Sequence, residues 1–134
     1  MKAPTVKKIG ALGEKYAAKY LKKQHCRILA RNYYAGRNEL DLVVRDGHYI
    51  AFVEVKTRAC LSAEDAALYR PSLAVDFDKR RRTADAAYAY LREHPTRLCP
   101  RLDVVEVWLD RQHRLKPIRI HHIPGAFSPD GKVR

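Results

Sequence analysis

An α/β fold, a mixed β-sheet of about five strands flanked by two main helices, is predicted by three features of the sequence. Two long segments repeat apolar residues at helical spacing. Several shorter runs are rich in Val, Ile, Phe and Tyr. Their order is helix, three strands, helix, two strands, which is neither an all-α nor an all-β arrangement.

The first helix is expected over residues 8–24, where Ile9, Leu12, Tyr16 and Tyr20 form a stripe. Gly13 lies on that stripe, where a neighbouring element can approach closely. Glu14 falls roughly 100° round from the centre of the stripe, at the edge of the core. A short strand over 27–34 leads to a turn at Ala35-Gly36-Arg37-Asn38. Strands over 39–45 and 48–57 are joined at Asp46-Gly47, a strong hairpin signal. A two-residue turn there pairs Arg45 with His48, Val43 with Ile50, Asp41 with Phe52 and Glu39 with Glu54. In that register Glu39, Asp41, Glu54 and Lys56 project from one face. Leu40, Leu42, Val44, Tyr49, Ala51, Val53 and Val55 fill the other.

Residues 58–75 have little periodicity and contain Pro71, so a long loop is expected. Phe77, Ala84, Ala87, Tyr88 and Leu91 mark a second helix over 76–94, capped by Asp76 or Asp78. Strands over 102–109 and 117–123 follow, the latter placed at a sheet edge by Pro117. One domain over 1–127 and a C-terminal tail over 128–134 account for the chain, whose length suits a single core.

Lys and Arg number 27 against 15 Asp and Glu, a formal charge of +12 shared evenly between the two halves of the chain. So much positive charge opposes compaction unless a polyanion is nearby, and nucleic acid is the leading partner. The longest stretch without a charged residue is ten residues, 120–129, against the roughly 20 apolar residues of a membrane span. Neither a membrane span nor a signal peptide is visible, and a cytoplasmic protein is expected. The three cysteines, Cys26, Cys60 and Cys99, are widely spaced and show no zinc-type pattern.

Carboxylates are depleted in strand interiors, yet Leu40-Asp41-Leu42 and Val53-Glu54-Val55 each contain one. A solvated outer face with Lys56 as counter-ion would explain the alternation. The expected facing of Glu39 and Glu54 beside Asp41 argues for more, because like charges opposed across a ladder destabilise a sheet. A divalent cation turns that repulsion into coordination, and oxygen ligands suit Mg²⁺ or Mn²⁺. Phosphodiester hydrolysis requires such an ion and a nearby cation for developing charge. In the second helix Lys79, Arg80, Arg81 and Arg82 oppose the macrodipole, and a solvated face and a phosphate contact both account for the run. Arg80 and Arg81 fall on the side of Phe77 and Ala84 and are expected to reach over the sheet. His121 and His122 point to opposite faces of a strand and cannot share one ion.

An acidic strand residue followed by Glu-x-Lys in the next strand resembles the PD-(D/E)xK nuclease superfamily, with its restriction-endonuclease-like fold. The flanks sharpen the likeness. Gly10-Ala11-Leu12-Gly13-Glu14, Arg31-Asn32, Glu39-Leu40-Asp41-Leu42-Val43, the run Phe52-Val53-Glu54-Val55-Lys56-Thr57-Arg58 and Leu102-Asp103-Val104-Val105 resemble the bacterial YraN family. That family is similar in motif layout to archaeal Holliday-junction resolvases. The resemblance implies Asp41 and Glu54 as metal ligands, with Glu39 beside them, Lys56 as catalytic lysine and Glu14 as an accessory carboxylate. Arg58, Lys79, Arg80, Arg81 and Arg82 become the nucleic-acid contacts. Asn38 stands where the family motif has glycine, and asparagine tolerates a left-handed backbone there. The implied activity is Mg²⁺- or Mn²⁺-dependent cleavage of branched or structured DNA, with a dimer if the chain is resolvase-like. The alternatives are a non-catalytic nucleic-acid-binding or protein-interaction module on the same fold, and an RNA- or ribosome-associated protein.

Overall fold

The computed structural model describes residues 4–68 and 77–133. Its elements are α1 (Val6–Lys23), β1 (Arg27–Ala35), β2 (Asn38–Asp46), β3 (Tyr49–Cys60), α2 (Ala63–Leu68), α3 (Phe77–Glu93), β4 (Cys99–Asp110) and β5 (Lys116–Ile123). The strands form one mixed sheet in the order β1-β2-β3-β4-β5. Only β3 and β4 run parallel, because the chain between them crosses over through the helices. β5, with its proline, is an edge strand as the sequence predicts.

Each face of the sheet has its own core. α1 starts at Thr5, whose hydroxyl accepts from the Lys8 amide at 3.1 Å and caps the first turn. It buries Ile9, Ala17, Ala18 and Leu21 against Leu42, Val44, Val53, Val55, Val105 and Val107. α3 covers the other face, where Ala86, Ala87 and Tyr90 meet Leu40, Val43, Ile50 and Phe52. The Tyr90 ring packs edge-on against both Tyr33 and Phe52.

At Gly13 the helix α1 lies close against Thr57 of β3. A Cβ at that position would lie 1.8 Å from Thr57 Oγ1 and 2.7 Å from Thr57 Cβ. Gly13→Ala therefore forces helix and strand apart, and overpacking of this kind costs about 2 kcal/mol. Thermal unfolding of the variant is expected to show a midpoint roughly 5 °C lower; an unchanged midpoint would mean that α1 docks elsewhere.

Four sequence expectations are corrected. The β2–β3 hairpin turns on Gly47-His48, pairing Asp46 with Tyr49, Arg45 with Ile50, Val43 with Phe52 and Leu42 with Val53. The reason is backbone conformation: Gly47 has a φ of +60° and His48 is not left-handed, which suits a turn with glycine at its first central position. The register moves by two residues, so side chains keep their faces, but Glu39 and Glu54 do not face one another.

Leu40, expected beside Leu42, belongs to the opposite core with Val43, and Tyr49, expected in the same core, is exposed at the start of β3 against Arg101. Alternation breaks at Asp41, and across the ladder it breaks at Asn32, whose φ is +50°. The pairing passes from Arg31–Leu42 directly to Tyr33–Leu40, so both strands change face together. At the β1–β2 turn the left-handed residue is Gly36 (φ +62°), and Asn38 is ordinary strand backbone paired with Ala35. Finally, the expected loop over 58–75 begins as the end of β3 and contains α2, which buries Ala66 against Cys60 and Trp108. The remainder of that loop, and the proposed cap Asp76, lie outside the described residues.

Candidate metal centre

Where β2 leaves β3, an amide that the ladder would have used is met by a side chain. The last β2–β3 pair is Leu42–Val53, and beyond it the Val55 N–H donates to Asp41 Oδ2 at 2.8 Å. Asp41 is thereby fixed at the break in strand alternation. Glu14 reaches it from α1 and Glu39 from the same strand, and one carboxylate oxygen from each of the three lies within 4.8 Å of the others. With its amide nitrogen turned toward the acids, Asn32 donates to Glu14 Oε2 at 3.0 Å and Glu39 Oε1 at 3.1 Å. Its left-handed backbone, tolerated by asparagine, allows that reach.

Glu54 sits across the notch, and its surroundings differ. It is buried and points toward α3, where Lys79 Nζ lies 2.9 Å from Oε1 and Lys56 Nζ lies 3.4 Å from the same oxygen. The Thr83 hydroxyl donates to Oε2 at 3.2 Å. Asp41, Glu54 and Glu39 line one cavity of about 400 Å³ with Arg37, Lys79 and Arg82.

Burial pushes the Asp41 carboxyl up to about 8, with Glu54 and then Glu14 adding repulsion against the opposing Val55 amide and Lys79. Glu14 is also raised, by burial and then by Glu39. The Lys56 ammonium is held below its usual value by burial and by neighbouring Lys79. For Lys79 burial is the largest influence and acts downward, but Glu54, Lys56 and Asp41 together outweigh it and the ammonium is raised. The donor set fits a hard divalent cation: crowded carboxylate oxygens whose mutual repulsion only a proton or a cation relieves. Glu14, Glu39 and Asp41 could hold one. Glu54 stands apart from them, with Lys79, Lys56 and Thr83 as its partners.

Of the sequence-derived site residues, Glu14, Glu39 and Asp41 form one subgroup and Glu54, Lys56 and Lys79 another. Arg58 is exposed two residues beyond Lys56. The basic turn is divided: Lys79 serves Glu54, Arg80 Nε donates to the Gly131 carbonyl, and the Arg81 guanidinium lies 5.8 Å from the Phe77 ring centroid. Arg82 alone of the four lines the cavity with Lys79. Asn32 and Thr83 were not read as site residues. An asparagine within a strand was the available signal for the first; Thr83 gave none. His121 and His122 do face apart, to Glu106 at 3.1 Å and Asp103 at 2.7 Å.

A five-stranded mixed sheet between helices, with acidic strand residues and a Glu-x-Lys lysine at a ladder break, defines an α/β protein of the restriction-endonuclease-like class. Residues 13–107 match the family described as "Uncharacterised protein family UPF0102". The chain belongs to this family, the YraN family. It is 41% identical over 122 residues to the UPF0102 protein of Pelotomaculum thermopropionicum, covering 90% of this chain and 96% of that one. The UPF0102 protein of Syntrophotalea carbinolica is 40% identical over 92% of this chain and 94% of its own. That of Chlorobaculum tepidum is 39% identical, with 92% and 95% covered. Among the described residues no helix is long and apolar enough to cross a membrane.

Proposed function

We propose that the protein is a cytoplasmic, Mg²⁺- or Mn²⁺-dependent endonuclease that cuts branched or otherwise structured DNA. The observation that carries this reading is the crowding of Glu14, Glu39 and Asp41 within 4.8 Å, beside the buried Glu54 and its Lys56. A divalent cation at such a site lowers the pKa of an attacking water and neutralises a non-bridging phosphate oxygen. Glu14, Glu39 and Asp41 hold it, Asn32 fixes the two glutamates, and the Val55 amide fixes Asp41. Lys56, oriented by Glu54, donates to the water or to the charge that develops on phosphate. Lys79, 2.9 Å from Glu54 at the same cavity, would supply a further cation for the phosphate. Arg82 and Arg37, at the cavity wall, meet the flanking backbone.

One observation favours a second reading. Both Glu54 oxygens already have donors, which suits a fold kept for nucleic-acid binding alone. Titration with MnCl₂, followed by cleavage assays on linear, flapped and four-way DNA, separates the two. Metal-dependent scission is expected, and binding without scission of any substrate would leave the binding module.

Binding is expected to weaken steeply with salt, since each neutralised phosphate releases a counter-ion. Arg82→Ala should reduce the slope of log affinity against log salt by about one. An unchanged slope by fluorescence anisotropy would remove Arg82 from the interface.

A further inference from the structure

An apolar opening on the α3 face is separate from the acidic notch, and Ala84 of one follows Thr83 of the other along α3. It is a groove of about 460 Å³ between α3 and the segment after β5, within the size range of small-ligand sites. Its walls include Phe52, Tyr88, Leu91, Leu102 and Phe127, with Tyr49 and Arg101 at one end. Tyr49 and Tyr88 are 45% and 50% exposed, a large aromatic area left to solvent.

Arg101 lies 4.9 Å from the Tyr49 ring centroid and is held there by Asp46 at 2.8 Å and by two bonds to Asp103 at 2.8 and 2.9 Å. Its charge is matched twice over, so this end offers a flat, rigid surface rather than an anion site. The phosphate-attracting charge lies outside the groove: on α3, Arg81 and Arg92 are exposed on the same stripe as Tyr88, outnumbering the exposed Asp85 between them, in a chain of net +12.

Continuity supplies the remaining argument. Phe52, in the groove, precedes Glu54 by two residues on the same strand, about 7 Å along it. Ala84, also in the groove, follows Thr83, which donates to Glu54. A strand whose phosphate lies at the notch therefore carries its neighbouring base to the groove mouth. Only a base outside the helical stack can enter.

We infer that this groove receives one unstacked nucleobase, so that the preferred substrates carry an unpaired base beside the phosphate at the acidic site. The inference rests on the nuclease reading for that phosphate's position, but binding tests it without cleavage. Stacking on aromatic side chains is sequence-tolerant, so any base should serve.

Three otherwise identical duplexes serve as probes: fully paired, with one bulged thymidine, and with an abasic residue at the bulge. Anisotropy is read in the Asp41→Asn variant without metal. The bulged duplex is expected to bind about tenfold more tightly than the abasic one, which keeps the phosphates and the bend but lacks the base. Tyr88→Ala should abolish that ratio and leave affinity for paired duplex unchanged, whereas Tyr88→Phe should preserve it. Equal affinity for thymidine and abasic bulges, an undiminished ratio in Tyr88→Ala, or no binding to any probe would each overturn the inference. Wild-type cleavage in MnCl₂ without base preference would sink this inference alone. A base preference in a chain that cuts nothing would uphold the groove and remove the nuclease reading.

Discussion

Asp41→Asn is expected to yield a folded chain that cuts no DNA in Mg²⁺ or Mn²⁺ and that melts at a higher temperature than wild type at pH 8. The two effects have one origin. The Asp41 carboxyl is raised from 3.8 to about 8, so the folded state holds its proton where the unfolded chain has lost it. The stability linked to this group is fully present below about pH 4 and is lost progressively as pH rises to about 8, where the folded carboxyl also ionises. Each unit of such a shift is worth about 1.4 kcal/mol, so the folded chain bears a penalty of several kcal/mol at alkaline pH without a cation.

Asparagine keeps the shape and an oxygen for the Val55 amide and removes the charge. A gain of about 2 kcal/mol at pH 8, falling to nothing near pH 4, is expected in metal-free thermal unfolding followed as a function of pH. Added Mn²⁺ should raise the wild-type midpoint and leave the variant's unmoved. A variant less stable than wild type at every pH, or one that still cleaves, would contradict the assignment of Asp41.

Lys56→Ala is expected to lower cleavage by a factor of about 10² to 10³ while the Mn²⁺-induced rise in melting temperature persists. Lysine brings no metal-ligating oxygen, so its removal spares the cation and takes away the donor. The fold should tolerate the change. Removing one partner of a buried ion pair can cost about 3–5 kcal/mol when the other charge is left alone. Here Glu54 keeps its nearer cation, Lys79 at 2.9 Å, and the Thr83 hydroxyl, so a cost of about 1 kcal/mol is expected. Single-turnover cleavage and calorimetric metal titration of one preparation check both halves. Loss of metal binding together with cleavage would make Lys56 a structural counter-ion.

The residues of the notch were legible because their chemistry is unusual for their position. Asp41 and Glu54 stand among apolar strand neighbours, and Lys56 follows at a spacing that keeps it on Glu54's face. Their grouping was less legible. Strict alternation put Glu39, Asp41, Glu54 and Lys56 in one row, and it fails at the one strand position where Asn32 turns left-handed, because a backbone angle has no periodic signature. Gly47 marked the hairpin, but which of its two possible central positions it takes decides the register, and composition does not fix that. The role of Lys79 also depended on tertiary packing: a charge run on a helix says where cations are, and only the approach of α3 to β3 makes one of them Glu54's partner.

The change of face at Asp41 leaves that residue on a crease. On one side Leu42 is anchored beneath α1, and on the other Leu40 is anchored beneath α3. Either helix layer can thus pull on the central carboxylate through the strand, in addition to the direct reach of Glu14 from α1. Repacking Ala17 or Leu21 on one side, or Ala86 or Tyr90 on the other, acts on the crease from opposite directions. The acid's position becomes a balance between two independent cores. A loss in one layer can be offset by a change in the other, giving two remote handles on a single oxygen atom.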